Sequence, residues 1–297
     1  MSSRILLVLA ITASVLFTGT ALRAQEDVKI TPVPVADNIF MLTGQGGNIG
    51  LFLGKDGTFI VDDQFAPLTE KIVAAIKAVG GDTPRFLINT HFHGDHTGGN
   101  ENLGKAGTLI VSHDNVRERL VNGSMIKEFG MKTPPANHVA LPLLTFSDDM
   151  HFHINNESVQ AIHVANAHTD GDSIIHFKKA NVVHTGDIFF NGFYPFIDAA
   201  HGGSLNGTIE AVDVILSITD ANSKIMPGHG PLGDKAQLQA YRDMLATAYT
   251  RLLKLKNEGV SVEDAIAQKP LEDLEGQWGG GIFTGEKWIE ITYPGIY

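Results

Sequence analysis

The chain has 297 residues, of which 43% are hydrophobic and 19% are charged, and its formal charge at pH 7 is −11. This composition is that of a globular protein with a full core, and it excludes a disordered protein, while the absence of cysteine excludes a disulfide-stabilised miniprotein. The negative charge also argues against nucleic acid as a partner, because an acidic protein does not attract a phosphate backbone.

Residues 1–24 have the features of a secretory signal peptide. Arg4 provides a positive charge, and the apolar run Ile5–Phe17 is shorter than the roughly 20 residues that a membrane span needs. We predict cleavage after Ala24, with Ala21 as an alternative site; the other interpretation is an uncleaved anchor. Cleavage would remove two arginines and no acid, which leaves residues 25–297 with a charge of −13. The mature protein is then expected in the periplasm or outside the cell, without stable membrane association.

Short apolar and β-branched runs separated by glycine turns predict a meander of strands in the first half of the mature chain. The expected strands are Ile39–Thr43, Asn48–Leu53, Thr58–Val61, Arg85–Asn89 and Leu109–Ser112. Helical spacing of apolar residues predicts a helix over Leu68–Val79, and a second helix is expected to end near Val121. Three prolines within 130–147 predict a long loop.

A second block of strands and helices follows this loop. The expected strands are Met150–Ile154, Val159–Val164, Ser173–Phe177, Val182–Thr185 and Lys224–Met226, and the expected helices are Gly207–Ile218 and Lys235–Asn257. Two such blocks indicate two similar halves that face each other. We expect them to form one α/β domain over residues 25–297.

A cluster of histidine and aspartate follows the predicted strand at 85–89. His91, His93, Asp95 and His96 lie within six residues. Crowding these groups is unfavourable unless something organises them, and a divalent cation does so, because zinc, iron and manganese accept imidazole and carboxylate ligands. In a turn that leaves a strand, His91 and His93 can point toward one metal site, while Asp95 and His96 point toward a second site nearby. The motif can therefore supply two metals.

Four ligands are too few for two metals, so more are expected later in the chain. His168, Asp187 and His229 each follow an apolar strand and lie near a glycine, which lets the backbone approach closely. A single histidine after a strand is more often a capping or surface residue, but the three in this order indicate a shared site. The absence of cysteine leaves imidazole and carboxylate as the ligands of any metal.

These motifs resemble those of the metallo-β-lactamase superfamily. The matching segments are Thr90–His96, His168–Thr169, Thr185–Asp187 and Pro227–Pro231. The resemblance implies a four-layer αββα sandwich with the site on loops at one edge. It also implies that His91, His93 and His168 hold one metal, that Asp95, His96 and His229 hold a second, and that Asp187 bridges both.

The expected chemistry is hydrolysis. Two close cations, zinc with iron or manganese as alternatives, would lower the pKa of a shared water and form a bridging hydroxide that attacks a carbonyl carbon or a phosphorus, and a carbonyl is favoured. Asp95 is the catalytic candidate, since a ligand that faces the water can orient it and carry its proton to the leaving group. We expect a small-molecule substrate, and the sequence does not predict the oligomeric state.

The bridging position narrows the choice of substrate. Asp187 stands where the best-known antibiotic-destroying branches of the superfamily have cysteine or serine, a difference that lactonases and glyoxalase-like thioesterases share. Together with export, this favours a hydrolase of cyclic amides or esters, that is, β-lactam-like compounds or lactones. The alternatives are a thioesterase or other ester hydrolase, a mononuclear iron persulfide dioxygenase, and a metal-binding partner protein with little catalysis.

Other residues leave more than one interpretation. The aromatic segment Ile188–Phe196 either walls a substrate pocket or packs under the core. His201 is expected to be a solvated loop residue, and Asn100 to cap a helix. Trp278, Phe283 and Trp288 are expected to pack near a last helix rather than to cap the groove.

Overall fold

The structure is a computed structural model that describes residues 27–297. The predicted signal peptide lies outside the described residues. Within 27–297, no helix combines the length and the apolar character that crossing a membrane requires.

Two main β-sheets form the centre of the fold. The strands are β1 Thr31–Ala36, β2 Ile39–Thr43, β3 Ile49–Phe52, β4 Phe59–Val61, β5 Phe86–Asn89, β6 Leu109–His113, β7 Ser124–Ile126, β8 Met131–Thr133, β9 Leu144–Phe146, β10 Asp149–Ile154, β11 Glu157–His163, β12 Ser173–Phe177, β13 Val182–His184 and β14 Lys224–Met226. One sheet has the order β1-β2-β3-β4-β5-β6-β9 and the other has the order β10-β11-β12-β13-β14. In the first sheet β4, β5, β6 and β9 are parallel, and in the second β13 and β14 are parallel.

Helices cover the outer faces of both sheets. The α-helices of residues 27–297 are α1 Thr69–Ala78, α2 Gly94–Thr97, α3 Asn100–Lys105, α4 Asp114–Asn122, α5 Leu205–Ser217, α6 Lys235–Asn257, α7 Val262–Ala267, α8 Glu272–Trp278 and α9 Gly285–Thr292. The amphipathic helix α1 buries Ile72 and Ile76 against the first sheet, in one cluster with Leu87. On the other side, α5 and α6 pack on the second sheet, with Val212 and Leu245 in one cluster.

A separate apolar cluster lies between the two sheets. It joins side chains of the first sheet, such as Phe52 and Val61, to side chains of the second, such as Phe177 and Val182. The rings of Phe52 and Phe177 meet edge to face with centroids 5.6 Å apart. The order of the layers is therefore helix, sheet, sheet, helix, which confirms the αββα sandwich.

The segment expected to be a long loop contains regular structure. The strands β7 and β8 pair as a short antiparallel hairpin over 124–133, and β9 joins the edge of the first sheet. The prolines at 134, 135 and 142 all fall between these strands, where no ladder hydrogen bond is required of them. The prediction of one long loop over 130–147 was thus wrong at β8 and β9. It was right for the stretch between these two strands, which carries the three prolines.

Candidate metal centre

The seven residues expected to bind metal, which we call the ligand cluster, come together at one edge of the sandwich. They are His91, His93, Asp95, His96, His168, Asp187 and His229. Parallel strands end at the same edge of a sheet, and β5 carries His91 through His96 just beyond its end. In the second sheet, Asp187 follows β13 and His229 follows β14, again a parallel pair. His168 lies on the connection between β11 and β12.

A first group consists of His91, His93, His168 and Asp187, all buried, with one donor atom of each within 4.8 Å of the others. Nδ1 of His93 lies 2.9 Å from Nε2 of His168. Oδ2 of Asp187 lies 3.5 Å from Nε2 of His168 and 3.8 Å from Nε2 of His91. Four potential ligand atoms therefore point into one small space.

A second group consists of Asp95, His96 and His229, whose donor atoms also lie within 4.8 Å of one another. Nε2 of His96 is 3.4 Å from Nε2 of His229, which is 3.3 Å from Oδ2 of Asp95. The Asp187 carboxylate reaches this group as well, with Oδ1 3.0 Å from Nε2 of His96 and Oδ2 3.3 Å from Nε2 of His229. Asp187 thus lies between the two groups.

The donor atoms fit divalent cations. Within the described chain, the buried Nε2 of His91 has no hydrogen-bond partner. Buried polar atoms of native proteins are nearly always partnered, so this exception needs an explanation. In both groups imidazole nitrogens face one another, an arrangement that a proton satisfies poorly and a metal satisfies well. The chemistry and spacing of the set are those of a site for divalent metal.

Two buried carboxylates orient histidines of this centre from outside. Nε2 of His93 lies 3.0 Å from Oδ2 of Asp198, and Nδ1 of His96 lies 2.8 Å from Oδ2 of Asp62. Such contacts fix the ring and its tautomer, and they leave the other nitrogen free to face the metal.

The remaining two buried histidines are oriented by uncharged groups. Nδ1 of His91 lies 3.1 Å from the Thr90 hydroxyl, and Nδ1 of His168 lies 2.7 Å from the carbonyl oxygen of Phe196. Each ring therefore presents Nε2 to the cluster. The Thr90 hydroxyl itself donates to Asp62, at 2.8 Å.

Glycine allows the backbone to lie directly against the ligands. A Cβ atom on Gly228 would be 2.0 Å from Oδ1 of Asp187, and one on Gly47 would be 2.1 Å from the His96 ring. Neither distance is tolerable for real atoms, so a side chain at either position would displace Asp187 or His96. Gly228, next to His229, thus allows the close approach of the backbone that the sequence predicts.

The charges of the cluster shift its pKa values. Burial alone would raise the pKa of Asp95, but the charge of His96 and the hydrogen bond from His229 bring it down to about 2. Burial lowers the pKa of His168 to about 4. Burial also opposes protonation of His229, yet the charge of Asp187 and its hydrogen bond raise the pKa of His229 to about 9.

A groove with a volume of about 210 Å³ opens beside both groups. Its polar lining is His93, Asp95, Asp187 and His229, and its apolar lining is Phe65, Ile126, Phe129, Met131, Phe190, Phe196 and Ile282. From the aromatic segment Ile188–Phe196, Phe190 and Phe196 face this groove, whereas Phe189 and Tyr194 are buried in the core. Both interpretations of that segment therefore hold, for different residues.

Two expectations for individual residues were wrong. The side chain of His201 is only 11% exposed, because it packs on Phe92 and its Nδ1 lies 2.6 Å from Asp198. Asn100 does not cap its helix, since Gly99 is the N-cap residue and the Asn100 amide donates to Asn89 at 2.9 Å and to a backbone carbonyl oxygen at 3.1 Å. The C-terminal aromatic residues do pack, as expected: Trp278, Phe283 and Trp288 are all buried in one cluster.

Asp62 and Asp198 are the residues in contact with this centre that sequence reasoning missed. Asp62 follows β4 just as the ligands follow their strands, and this acid directly after an apolar strand was a usable signal. Asp198 lies on an irregular segment far from His93 in sequence, and no local pattern marked it.

Comparison with known proteins agrees with this fold. A model of the metallo-beta-lactamase superfamily matches residues 42–229 of the chain. The fold resembles that of a metallo-beta-lactamase from Pontibacter korlensis, with 16% identity and a TM-score of 0.61 over 73% of this chain and 99% of that chain. It also resembles DIM-1 metallo-beta-lactamase, with 20% identity and a TM-score of 0.60 over 75% of this chain and 100% of that chain. None of the curated proteins matches the sequence.

Proposed function

This chain belongs to the metallo-β-lactamase superfamily of metal-dependent hydrolases, and from that premise we propose that it is a dinuclear zinc hydrolase of cyclic amides or esters. One observation carries the proposal: the Asp187 carboxylate lies between two separate groups of ligand atoms and contacts histidines of both. A purely structural site needs about four ligands, whereas this edge of the sandwich offers seven.

The two groups define how metals would be held. His91, His93 and His168 would hold one cation, Asp95, His96 and His229 would hold the other, and Asp187 would contact both. Bound cations of this kind act as Lewis acids and lower the pKa of a coordinated water toward neutrality.

Asp95 is the residue of the chain best placed for proton transfer. Its side chain is 23% exposed and lines the groove, so that it can meet both water and substrate. As a metal ligand the carboxylate would be ionised, and an ionised carboxylate can accept a hydrogen bond from the attacking water. From this position it can pass a proton to the leaving group as the acyl bond breaks.

Hydrophobic groups on the groove side restrict bulk water. Phe190 stacks on the ring of His229 with centroids 5.1 Å apart, and Phe196 lies 5.9 Å from the ring of His93. Both aromatic side chains are almost fully buried. Apolar walls strengthen the electrostatic interactions of the ligand cluster with a bound substrate.

The proposal extends to the whole mature chain. We propose that residues 1–24 direct export and are removed, and that residues 25–297 form one catalytic domain in the periplasm or outside the cell. Expression of the full chain in a bacterial host, followed by amino-terminal sequencing of the protein from the periplasmic fraction, tests this point. A first residue of Gln25 supports it, and a full-length cytoplasmic product contradicts it.

Metal content and turnover on one purified sample test the hydrolase. We expect about two zinc ions per chain and ring opening of a chromogenic cephalosporin or an acyl-homoserine lactone. A glutathione thioester and a phosphodiester are assayed beside them as alternative substrates. About one iron per chain with no hydrolysis, but with oxygen uptake on addition of a persulfide, would contradict the proposal and support a dioxygenase.

A further inference from the structure

The groove beside the ligand cluster has an apolar outer wall that the proposed hydrolysis does not by itself require. Three of its side chains are large, apolar and exposed: Phe129 at 40%, Met131 at 39% and Ile282 at 47%. Isolated exposed apolar residues are common, but contiguous ones that rim a cavity mark a binding surface. They line the same groove as His93 and Asp95, so a bound substrate would contact them.

The hairpin over 124–133 presents two different faces. Its register pairs Ile126 with Met131 and Met125 with Lys132. Side chains alternate along a strand, so the first pair faces the groove and the second pair faces away. The aromatic ring of Phe129 at the hairpin tip packs on Phe196, with centroids 5.0 Å apart. The hairpin is thus fixed to the wall of the groove by its apolar side.

The charge of the groove is equally informative. Among the described residues that line it there is no lysine or arginine, and the only ionisable groups are those of the ligand cluster. A substrate anion placed against the apolar wall of Phe129, Met131 and Ile282 would lose its hydration without gaining a cationic side chain there, because the cations would lie at the ligand cluster. The strongly negative net charge of the chain opposes anionic substrates further.

From this lining we propose that the groove holds the apolar acyl chain of an uncharged substrate, a lactone or ester of intermediate chain length. The inference rests on the proposed hydrolase and names its substrate class. Ile126, Phe129, Met131 and Ile282 contact the chain, while the carbonyl group lies at the ligand cluster. A substrate that places a carboxylate against this wall is then a poor substrate, and a cephalosporin with a free carboxylate probes this effect.

Chain length and charge are the variables of the test. With zinc-loaded protein, kcat/KM is measured for homoserine lactones that carry butanoyl, octanoyl and dodecanoyl chains, and for a cephalosporin with a free carboxylate. A fully buried methylene improves binding about threefold to fourfold. Because the groove is partly open, we expect a rise of about tenfold from butanoyl to octanoyl, mostly in KM, and little further rise to dodecanoyl once the cavity is filled.

Variants on the two faces of the hairpin distinguish an effect on substrate binding in the groove from an effect on the fold. Met131→Ser and Phe129→Ser should reduce the ratio of octanoyl to butanoyl kcat/KM to near one. Met125→Ser, on the outer face of the same strand pair, is the matched control and should keep the ratio of the wild type. Met131→Lys should raise kcat/KM for the cephalosporin relative to the octanoyl lactone. An unchanged ratio in both inner-face variants would overturn the proposal.

Binding without turnover distinguishes failure of this inference from failure of the proposed function. Calorimetry of octanamide and butanamide on the zinc-loaded protein should show tighter binding of the longer amide, with the difference lost in Met131→Ser. Turnover without dependence on chain length would overturn the groove assignment and leave the hydrolase intact. Binding that depends on chain length, without hydrolysis of any lactone, ester or lactam, would overturn the hydrolase. A stable dimer in sedimentation that Phe129→Ser dissociates would assign the wall to a second copy of the chain instead.

Discussion

Nε2 of His93 lies 3.0 Å from Oδ2 of Asp198, and the same carboxylate oxygen lies 2.6 Å from Nδ1 of His201. The Asp198 side chain is almost completely buried, so little water can replace it as the partner of His93. Burial would raise its pKa, but the hydrogen bond and charge of His93 lower it. Asp198 therefore stays ionised and positions the imidazole, with Nδ1 of His93 directed into the ligand cluster.

Asp198→Asn should weaken metal binding while the fold is kept. Loss of such an outer partner costs about 10- to 100-fold in metal affinity or activity. Zinc affinity, measured by competition with a chelator, reports this loss without any assumption about the substrate. Asp213→Asn is the matched control, because Asp213 is an exposed acid that pairs with Arg242 far from the cluster. Equal zinc affinity in Asp198→Asn and wild type would show that His93 needs no such support.

Asp187→Ala should abolish the binding of two metal ions at this site. The Asp187 carboxylate is the group that contacts both sets of ligand atoms, so its removal leaves two groups of three residues without a shared ligand. We expect the metal content to fall from about two to about one or less, and kcat/KM to fall by at least about 100-fold. Elemental analysis after gel filtration measures the first effect, with the melting temperature as a check of the fold. Two tightly held metals together with full turnover would refute the dinuclear assignment.

The parts of the site that were predictable are those with a local signature. His91 through His96 form a compact motif, and the later ligands each follow an apolar strand, so strand prediction alone places them at an edge. The helix Lys235–Asn257 was predicted with its observed bounds, since Asp234 and Gln237 form a capping box at its start.

The parts that were missed depend on contacts between distant residues. His93 and Asp198 are 105 positions apart, and nothing near either residue in sequence indicates the other. His201 was misjudged for the same reason, because its partners Asp198 and Phe92 are joined to it only by the fold. The short hairpin over 124–133 was missed because three-residue strands are too short to show an alternating pattern.

Metal uptake by the metal-free protein should depend on pH. The pKa of His229 is about 9, because burial is outweighed by the charge and hydrogen bond of Asp187, so the ring carries a proton at neutral pH. A cation binds only the neutral ring, and the proton must leave. Apparent zinc affinity should therefore rise with pH, by about tenfold per unit for each proton displaced, until the pH approaches the pKa.

Competition with a chelator at several values between about pH 6.5 and 8 measures this slope, after correction for the protonation of the chelator. Proton release on addition of zinc to weakly buffered protein gives an independent count. His229→Gln is the informative comparison, since its slope should be smaller by the contribution of one proton. Zinc affinity that does not change with pH in the wild type would contradict the expected protonation of the cluster.

Trp288→Ala should destabilise the whole chain rather than the last helices alone. Trp288 on α9 stacks on Tyr194 with ring centroids 4.8 Å apart, and its Nε1 donates to the carbonyl oxygen of Pro195 at 2.6 Å. These partners lie in the segment that follows Asp187, so the C-terminal helices pack directly behind the ligand loops.

Removing a buried tryptophan costs about 3–5 kcal/mol of unfolding free energy. If residues 25–297 form one domain, urea unfolding should remain a single transition whose free energy falls by that amount, which lowers the midpoint urea concentration in proportion. Leu143→Ala, at a 71% exposed side chain, should leave the midpoint nearly unchanged. A separate early transition in Trp288→Ala, with metal binding preserved beyond it, would show that the C-terminal helices form a unit of their own.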